Sequence, residues 1–309
     1  MIVELHAKTH VGRVRAGNED NYLVLDLATQ AAWTGTDGEE PPAEVCRFEV
    51  GPKGVVLAVS DGMGGALAGD VASRMAVETV RDLLTSGGEE GEAACGPGVP
   101  LAECLRNAID YANFAIHRRS QEDPRCSGMG ATLTGAAVTR EGVDLVQVGD
   151  SRGYVLRSRQ IKLATKDQSL VQQLVDVGQI SEQEAETHMF RNVILQALGA
   201  QAELAPVTGR VRVFRDDLLL LCSDGLSGKL RSEDMLNIIA EADGDLARAC
   251  AELVAEANHR GGEDNITVIL ARFTGDDLAS PDSNRITIEL PALDGDSTIS
   301  RDDDTTENP

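Results

Sequence analysis

Each of three apolar runs in this chain stops at an aspartate that stands beside a glycine, and this pattern constrains the fold most. The three segments are VVLAVSDGMGG (55–65), VDLVQVGDSRG (143–153) and LLLLCSDGLSG (218–228), with Asp61, Asp150 and Asp224 at their ends. Val-rich and Leu-rich runs of this length, bounded by glycine, are typical of buried strands, and each aspartate falls where the strand gives way to a loop. The sequence therefore predicts a β-rich core whose strand ends can aim several carboxylates at one point.

The remaining periodicity predicts strands and helices in blocks rather than in strict alternation. Apolar residues that recur every three or four positions indicate two pairs of amphipathic helices. Blocks of strands separated by helix pairs favour antiparallel sheets with helices packed outside them. The expected helices are 66–84, 101–118, 232–241 and 245–258, with a more polar helical stretch at 168–187, and the expected strands are 2–9, 21–27, 54–60, 131–138, 143–149, 153–157, 209–214, 217–222 and 266–273.

Composition divides the chain into a large domain and a tail. With 309 residues, of which 42% are hydrophobic, the chain can bury a sizeable core. Two segments rich in Gly, Pro and acidic residues, 28–53 and 86–100, are expected to be acidic surface insertions in that domain. Residues 274–309 hold ten acidic and two basic side chains and show little apolar periodicity, so we expect a domain over 1–273 followed by a disordered acidic tail.

The charge of the chain excludes two classes of partner. A net charge of −23 argues against a basic stripe for nucleic acid or for an anionic membrane surface. The segment MIVELHAKTH (1–10) has no basic region followed by an apolar one, and no apolar run approaches the ~18 residues of a membrane span. We expect a monomeric protein of the cytoplasm that binds neither nucleic acid nor membrane.

The cysteines and histidines show no metal-binding pattern. Six cysteines occur without any C-x-x-C pair, so we expect reduced thiols rather than a zinc site or a disulfide framework. The five histidines lack metal-ligand spacing such as H-E-x-x-H and are expected to be surface or packing residues.

Two further acidic motifs complete a set of carboxylates at strand ends. Glu19-Asp20 stands just before one expected strand and Asp264-Asn265 just before the last one. Carboxylates crowded at the rim of a core repel one another and lose hydration, so they persist together only if a cation or dense hydrogen bonding offsets both costs. Hard divalent cations take oxygen ligands and need no histidine. A bound metal is therefore the simplest explanation of Asp20, Asp61, Asp150, Asp224 and Asp264.

Each motif taken alone has a more ordinary explanation. An aspartate before glycine at a strand end is usually turn chemistry, and Arg15 by itself would more often be a surface cation. The segment DGMGGALAG (61–69) lacks the Lys-Ser/Thr pair and the G-x-G-x-x-G spacing of phosphate loops, so it does not indicate nucleotide binding. Five motifs together outweigh these ordinary explanations.

The ordered set of motifs resembles one known family. R-x-x-N-E-D (15–20), DGMGG (61–65), GDSRG (149–153), SDG (223–225) and DN (264–265) are similar to the motifs of the metal-dependent Ser/Thr protein phosphatases of type 2C, the PPM family, in its bacterial branch. The resemblance covers roughly residues 3–273. It implies an α+β fold, a four-layer α-β-β-α sandwich of two antiparallel sheets flanked by helices, with a metal cleft at one end.

The resemblance also implies a role for each residue that matches a motif. The implied ligands of two Mn²⁺ or Mg²⁺ ions are Asp61, Gly62 through its backbone carbonyl, Asp224 and Asp264, with Asp150 on a third, more weakly held ion. Around them, Glu19 and Asp20 would hold metal-bound waters, Asn265 would support the ligands, and Arg15 would grip the substrate phosphate.

The implied reaction is direct hydrolysis of phosphoserine and phosphothreonine in proteins by water activated between two metal ions. Its partners would be phosphorylated proteins and a cognate Ser/Thr kinase.

Two positions depart from the family pattern. Met63 stands where some members carry a histidine that protonates the leaving oxygen, and Gln168 replaces a common histidine in the mobile flap expected over 163–199.

Two other functions compete with this one. A relative that binds phosphoproteins without turning them over would keep the fold, but it has no need of five converging acids. A metallohydrolase acting on phosphodiesters would fit the metal site, but the acidic chain offers no basic track for nucleic acid.

Overall fold

The computed structural model describes residues 1–65, 68–85, 95–96, 98–290 and 299–300. The strands are β1 (Ile2–His10), β2 (Asp20–Asp26), β3 (Ala31–Thr34), β4 (Arg47–Glu49), β5 (Val55–Met63), β6 (Gly130–Ala131), β7 (Leu133–Thr139), β8 (Gly142–Val148), β9 (Arg152–Arg157), β10 (Gln160–Leu163), β11 (Val207–Val211), β12 (Leu218–Cys222), β13 (Ile266–Thr274), β14 (Ile288–Leu290) and β15 (Ile299–Ser300). The helices are α1 (Ala68–Thr85), α2 (Leu101–Glu122), α3 (Leu170–Asp176), α4 (Glu182–Thr187), α5 (Asp224–Ser227), α6 (Ser232–Glu241) and α7 (Leu246–His259).

Two antiparallel sheets form the centre of the molecule. The first has the order β10-β9-β12-β13-β1-β4, and the second has the order β15-β14-β11-β8-β7-β5-β2-β3, with β6 paired to the end of β5. Every strand pairing among the described residues is antiparallel. The predicted antiparallel sheets are confirmed.

Three apolar layers hold the sheets and helices together. Along β13, Ile269 and Phe273 face the second sheet, whereas Val268 and Leu270 face α6 and α7. The central strands of the second sheet alternate in the same way between the sheet interface and the pair α1 and α2. Because both faces of these strands are covered, their sequences are apolar throughout rather than alternating with polar residues. The four-layer α-β-β-α sandwich is confirmed.

The segment 28–53, which is expected to be an acidic surface insertion, also contributes two strands and three buried side chains to the domain. It supplies β3 and β4, which extend the edges of the two sheets. Val45, Phe48 and Val50 are buried in the layer between the sheets. These apolar residues are few, but they cover the layer between the two sheets near the edge strand β4. Most of the other expected insertion, 86–100, lies outside the described residues.

The beginning of the expected disordered tail is ordered. Leu278, Ile286 and Ile288 are buried in the layer between the sheets, and β14 pairs with β11. Burial of three large apolar side chains contributes to offsetting the entropy cost of ordering this segment. The expectation of disorder is therefore wrong for 274–290, and residues 291–298 and 301–309 lie outside the described residues.

Two of the six cysteines differ from expectation. Cys95 and Cys104 form a disulfide at the start of α2, whereas Cys46, Cys126, Cys222 and Cys250 are free. Cys95 and Cys104 are nine residues apart, a spacing that matches no common motif, so no sequence pattern predicts the bond.

None of the helices in the described ranges combines the length and the apolar character needed to cross a bilayer.

Candidate metal and phosphate site

The ends of five strands bring the predicted acids together at one edge of the sandwich. Asp20 opens β2 and lies directly opposite Asp61 near the end of β5. Asp224 opens α5 immediately after β12, whose neighbour β13 is preceded by Asp264. Asp150 follows β8. Antiparallel pairing thus delivers residues from both sheets to the same edge.

The carboxyl groups of this cluster are buried and close to one another. Burial raises the pKa of the Asp61 carboxyl well above its usual range, and three neighbouring carboxylates raise it further. These neighbours are Asp20, Asp224 and Asp150, and the Asp224 carboxyl is within hydrogen-bonding reach of that of Asp61. Burial and, after it, the Asp224 carboxylate raise the pKa of Asp150 to about 7.

Three oxygen atoms of the cluster lack any hydrogen-bond partner. Oδ1 of Asp20, Oδ1 of Asp150 and Oδ1 of Asp224 are buried without a donor. A buried carboxylate oxygen left in this way costs free energy, because nothing replaces the water that it has lost. Only oxygen atoms converge here, which is the donor set of hard divalent cations.

The acids lie together without forming a closed set of ligands. Within the residues that the structure describes, no three His, Cys, Asp or Glu side chains already stand as one metal-binding group. Asp264 is engaged elsewhere, since its Oδ2 accepts a hydrogen bond of 2.7 Å from Nη2 of Arg15. The cluster would have to close around an ion.

Arg15 lies on an exposed loop whose backbone is held by hydrogen bonds to the Asn265 side chain. The amide Oδ1 of Asn265 accepts from the backbone N–H of Glu19 at 2.7 Å, and its Nδ2 donates to the carbonyls of Val11 and Gly17 at 2.8 and 3.0 Å. The Arg15 side chain is 48% exposed beside Asp264, so its guanidinium remains open to a ligand. The loop therefore presents a fixed cation at the rim of the acidic cluster.

Glycine is required where Gly62 follows Asp61. A Cβ atom at Gly62 would lie 2.1 Å from the carbonyl oxygen of Gly69 in α1 and 2.6 Å from that of Glu19. The Glu19 side chain fills the same corner, because its Oε2 would lie 1.9 Å from a Cβ atom at Gly69. Burial raises the pKa of Glu19. This close approach packs Glu19 beside the start of α1.

Two hydroxyl groups that the sequence did not identify hold the acids in place. Oγ of Ser223 donates to Oδ2 of Asp20 at 2.7 Å, and Oγ1 of Thr132 accepts from the backbone N–H of Asp61 at 3.0 Å. Ser223 carried a usable signal, because serine precedes Asp-Gly in both Ser-Asp-Gly motifs. Thr132 carried none, since only the fold places it beside β5.

The expected flap over 163–199 carries most of the exposed apolar side chains. Of the eight large hydrophobic residues that are exposed in the described part of the chain, five lie here: Val177, Met189, Phe190, Val193 and Leu195. The segment contains α3 and α4, and α4 buries no residue. Its Glu186 forms an ion pair of 2.8 Å with Arg231 at the start of α6.

Met63 pairs with Gly130 on β6.

Comparisons with known proteins show the family and the fold of this chain. A family model described as protein phosphatase 2C matches residues 43–270. The serine/threonine phosphatase stp of Listeria welshimeri is 35% identical over 268 residues, which span 86% of this chain and 95% of the relative. The crystal structure of the Mycobacterium tuberculosis serine/threonine phosphatase PstP matches with a TM-score of 0.71 and 32% identity, covering 89% of this chain and 100% of that one. The catalytic domain of PstP in complex with two manganese ions matches with a TM-score of 0.68 and 32% identity over 89% of this chain and 99% of that one.

Proposed function

This chain belongs to the protein phosphatase 2C family and is a serine/threonine protein phosphatase, and we propose that the acidic cluster at the edge of its sandwich is the catalytic metal site. The observation that carries the proposal is the set of three buried carboxylate oxygens without a hydrogen-bond partner, on Asp20, Asp150 and Asp224. Divalent cations would satisfy the oxygens of Asp150 and Asp224, their bound waters would satisfy that of Asp20, and their charge would offset the repulsion among the acids.

The donor set fits Mn²⁺ or Mg²⁺. Two ions would be held by Asp61, the Gly62 carbonyl, Asp224 and Asp264, and a third by Asp150. The related PstP domain binds two manganese ions, which supports the assignment of a pair of ions here. When bound, such a pair of ions supplies Lewis acidity and lowers the pKa of water enough to attack a phosphate monoester near neutral pH.

The side chains around the cluster bind and orient the substrate. Arg15 stands at the rim with a planar guanidinium, which suits two oxygens of a phosphate dianion. Asn265 fixes the loop of Arg15, and Glu19 and Asp20 are proposed to hold the waters next to the metals. Met63 has no proton to donate, so we assign no side chain as the acid that protonates the leaving oxygen.

The substrates are proposed to be phosphoserine and phosphothreonine in proteins, supplied by a cognate Ser/Thr kinase. A binding protein without turnover would gain nothing from buried acids that oppose each other. The net charge of −23 argues against nucleic acid phosphodiesters. The substrate class is tested by comparing a phosphothreonine peptide with a phosphodiester at equal Mn²⁺.

We propose a monomeric cytoplasmic protein whose phosphatase domain runs from residue 1 through the ordered segment 274–290. Four of the six cysteines are free, which suits a reducing compartment, whereas the Cys95–Cys104 disulfide does not. Light scattering tests the monomer, because a dimer would have twice the chain mass of 32.8 kDa. Fractionation of the source cells tests the location.

The catalytic proposal is tested with a phosphothreonine peptide and an aryl phosphate, first with Mn²⁺ and then with a chelator. We expect phosphate release that the chelator abolishes, and a loss of at least about a hundredfold in kcat for Asp61→Ala and Asp224→Ala. Asp82→Ala is the matched control, because Asp82 is an exposed acid about 20 Å along α1 from the cluster. Chelator-resistant release, or unchanged rates in both cluster variants, would refute the metal site.

A further inference from the structure

Gln168, at the start of the flap, uses all of its hydrogen-bonding groups to join separate parts of the chain. Its side-chain Oε1 accepts from the backbone N–H of Gly149 at 2.8 Å, and its own N–H donates to the Gly149 carbonyl at 2.9 Å. Its Nε2 donates to the carbonyl of Ala205 at 2.8 Å, and its carbonyl accepts from the N–H of Leu195 at 2.8 Å. The two ends of the flap and the loop after β8 therefore meet at one residue.

The loop that Gln168 holds carries Asp150 and is packed tightly against the cluster. Gly149 has a φ of +100°, and a Cβ atom there would lie 2.6 Å from Cγ2 of Thr132. Thr132 in turn accepts from the N–H of Asp61 and shares a hydrogen bond of 2.7 Å with Oγ of Ser151. A shift of Gly149 would therefore displace Thr132 and, through it, Ser151, so that both neighbours of Asp150 in the chain would move.

The two carbonyls that flank Asp150 accept hydrogen bonds, whereas Oδ1 of the Asp150 side chain accepts none. Gln147 donates to the carbonyls of Gly149 and Ser151 at 3.2 and 3.0 Å, and Gln168 takes the remaining N–H of Gly149. Asp150 Oδ1 is buried without a partner beside Asp224. The position of this carboxylate therefore depends on the turn that carries it.

We propose that Gln168 is a positioning residue that clasps the flap to the Gly149–Asp150 loop and so aims the Asp150 carboxylate at a divalent cation. The inference rests on the proposed function, because it takes the acidic cluster to be the metal site. It gives the glutamine a role that depends on its carboxamide, which accepts from one segment and donates to another.

Four variants test the clasp. Gln168→Ala removes both side-chain bonds, whereas Gln168→Glu keeps an acceptor for Gly149 but cannot donate to Ala205. Gln168→Asn keeps the carboxamide and shortens its reach, and it replaces the alanine variant if that variant does not fold. Gln173→Ala is the matched control, because Gln173 is exposed on α3 and five residues away. Circular dichroism establishes that each variant is folded.

Two readouts are used besides activity. The first is Mn²⁺ binding measured by calorimetry, and the second is trypsin cleavage of the metal-free protein at the exposed Arg191. We expect Gln168→Ala and Gln168→Asn to raise the Mn²⁺ concentration for half-maximal binding and activity on the order of tenfold and to speed cleavage severalfold. Gln168→Glu should speed cleavage and leave the Mn²⁺ requirement within about threefold, and Gln173→Ala should change neither.

The outcomes separate this inference from the proposed function. If Gln168→Ala is folded and binds Mn²⁺ within twofold of the wild type, as a merely structural contact would allow, the clasp does not position Asp150. If cleavage at Arg191 is unchanged in the same variant, the flap is not held by this side chain. If the wild type binds no divalent ion and its phosphatase activity resists chelators, the metal site itself is refuted.

Discussion

Ser223 links the two sheets at the floor of the acidic cluster. Its Oγ donates to Oδ2 of Asp20 on the second sheet and accepts from the backbone N–H of Thr267 at 3.0 Å on the first sheet. The hydroxyl therefore satisfies one oxygen of a buried acid and one buried donor at once. The bond of Ser223 lowers the pKa of Asp20, but burial outweighs it and raises that pKa.

Removal of this hydroxyl should cost stability. Ser223→Ala leaves the N–H of Thr267 and Oδ2 of Asp20 without a partner, so we expect a loss of about 1–3 kcal/mol in the free energy of unfolding. Urea denaturation of the metal-free protein measures it. Ser227→Ala, only four residues away on α5, is the control and should lose less than about 0.5 kcal/mol. Equal losses in the two variants would show that the bridge contributes nothing specific.

At this scale the sequence indicates which acids meet but not what holds them. Asp20, Asp61 and Asp224 could be predicted because Asp20 stands at the start of an apolar run and the other two at the end of one, and antiparallel pairing brings such strand ends to one edge. Thr132 and Asn265 could not be assigned their contacts. Their partners are set by the register of strands far apart in the chain, and no local pattern specifies that register.

At the scale of elements, the flap is weakly held apart from its base. α4 buries none of its residues, and its ion pair between Glu186 and Arg231 joins side chains that are 53% and 78% exposed. Exposed pairs of this kind contribute about 0.2–1 kcal/mol. An ion pair of this strength favours contact between the flap and α6 but is too weak to keep the flap there permanently.

Charge reversal tests this tie. Glu186→Arg should repel Arg231, loosen α4, and raise KM for a phosphopeptide up to about fivefold with little change in kcat. An aryl phosphate, which is too small to reach α4, should show no change. The double variant with Arg231→Glu restores opposite charges and should recover the wild-type KM at low salt. An unrepaired KM in the double variant would mean that the two side chains do not interact in solution.

The elements that the sequence predicted best are long and periodic. The helices α1, α2, α6 and α7 and the strands β5, β12 and β13 appear where the apolar pattern placed them. β3, β4 and β14 were missed because each has only three or four residues, and its pairing depends on an edge formed by distant strands. Short edge strands of this kind carry too few residues for a period to be recognised.

At the scale of the whole molecule, the acidic cluster opposes the stability of the metal-free fold near neutral pH. Burial raises the pKa of Asp150 from 3.8 to about 7 and raises the pKa values of Asp20, Asp61 and Asp224 as well. Between these pH values the folded protein holds protons that the unfolded chain has released. Stability therefore falls as the pH rises through this range, and a bound cation reverses the preference because it binds the deprotonated acids.

This linkage predicts how stability depends on pH and metal. The shift of about three pKa units at Asp150 corresponds to about 4 kcal/mol, which is present below pH 3.8 and is lost by about pH 7. His6 acts in the opposite direction, because burial lowers its pKa, so the comparison must be made between variants. We expect the unfolding free energy of the metal-free wild type to fall relative to Asp150→Asn between pH 5 and pH 7.5, and the rise in melting temperature on adding Mn²⁺ to be larger at the higher pH. Parallel pH profiles for the two proteins in denaturant titrations, or a Mn²⁺ effect that shrinks with pH, would show that the Asp150 carboxyl is not buried among acids as the fold places it.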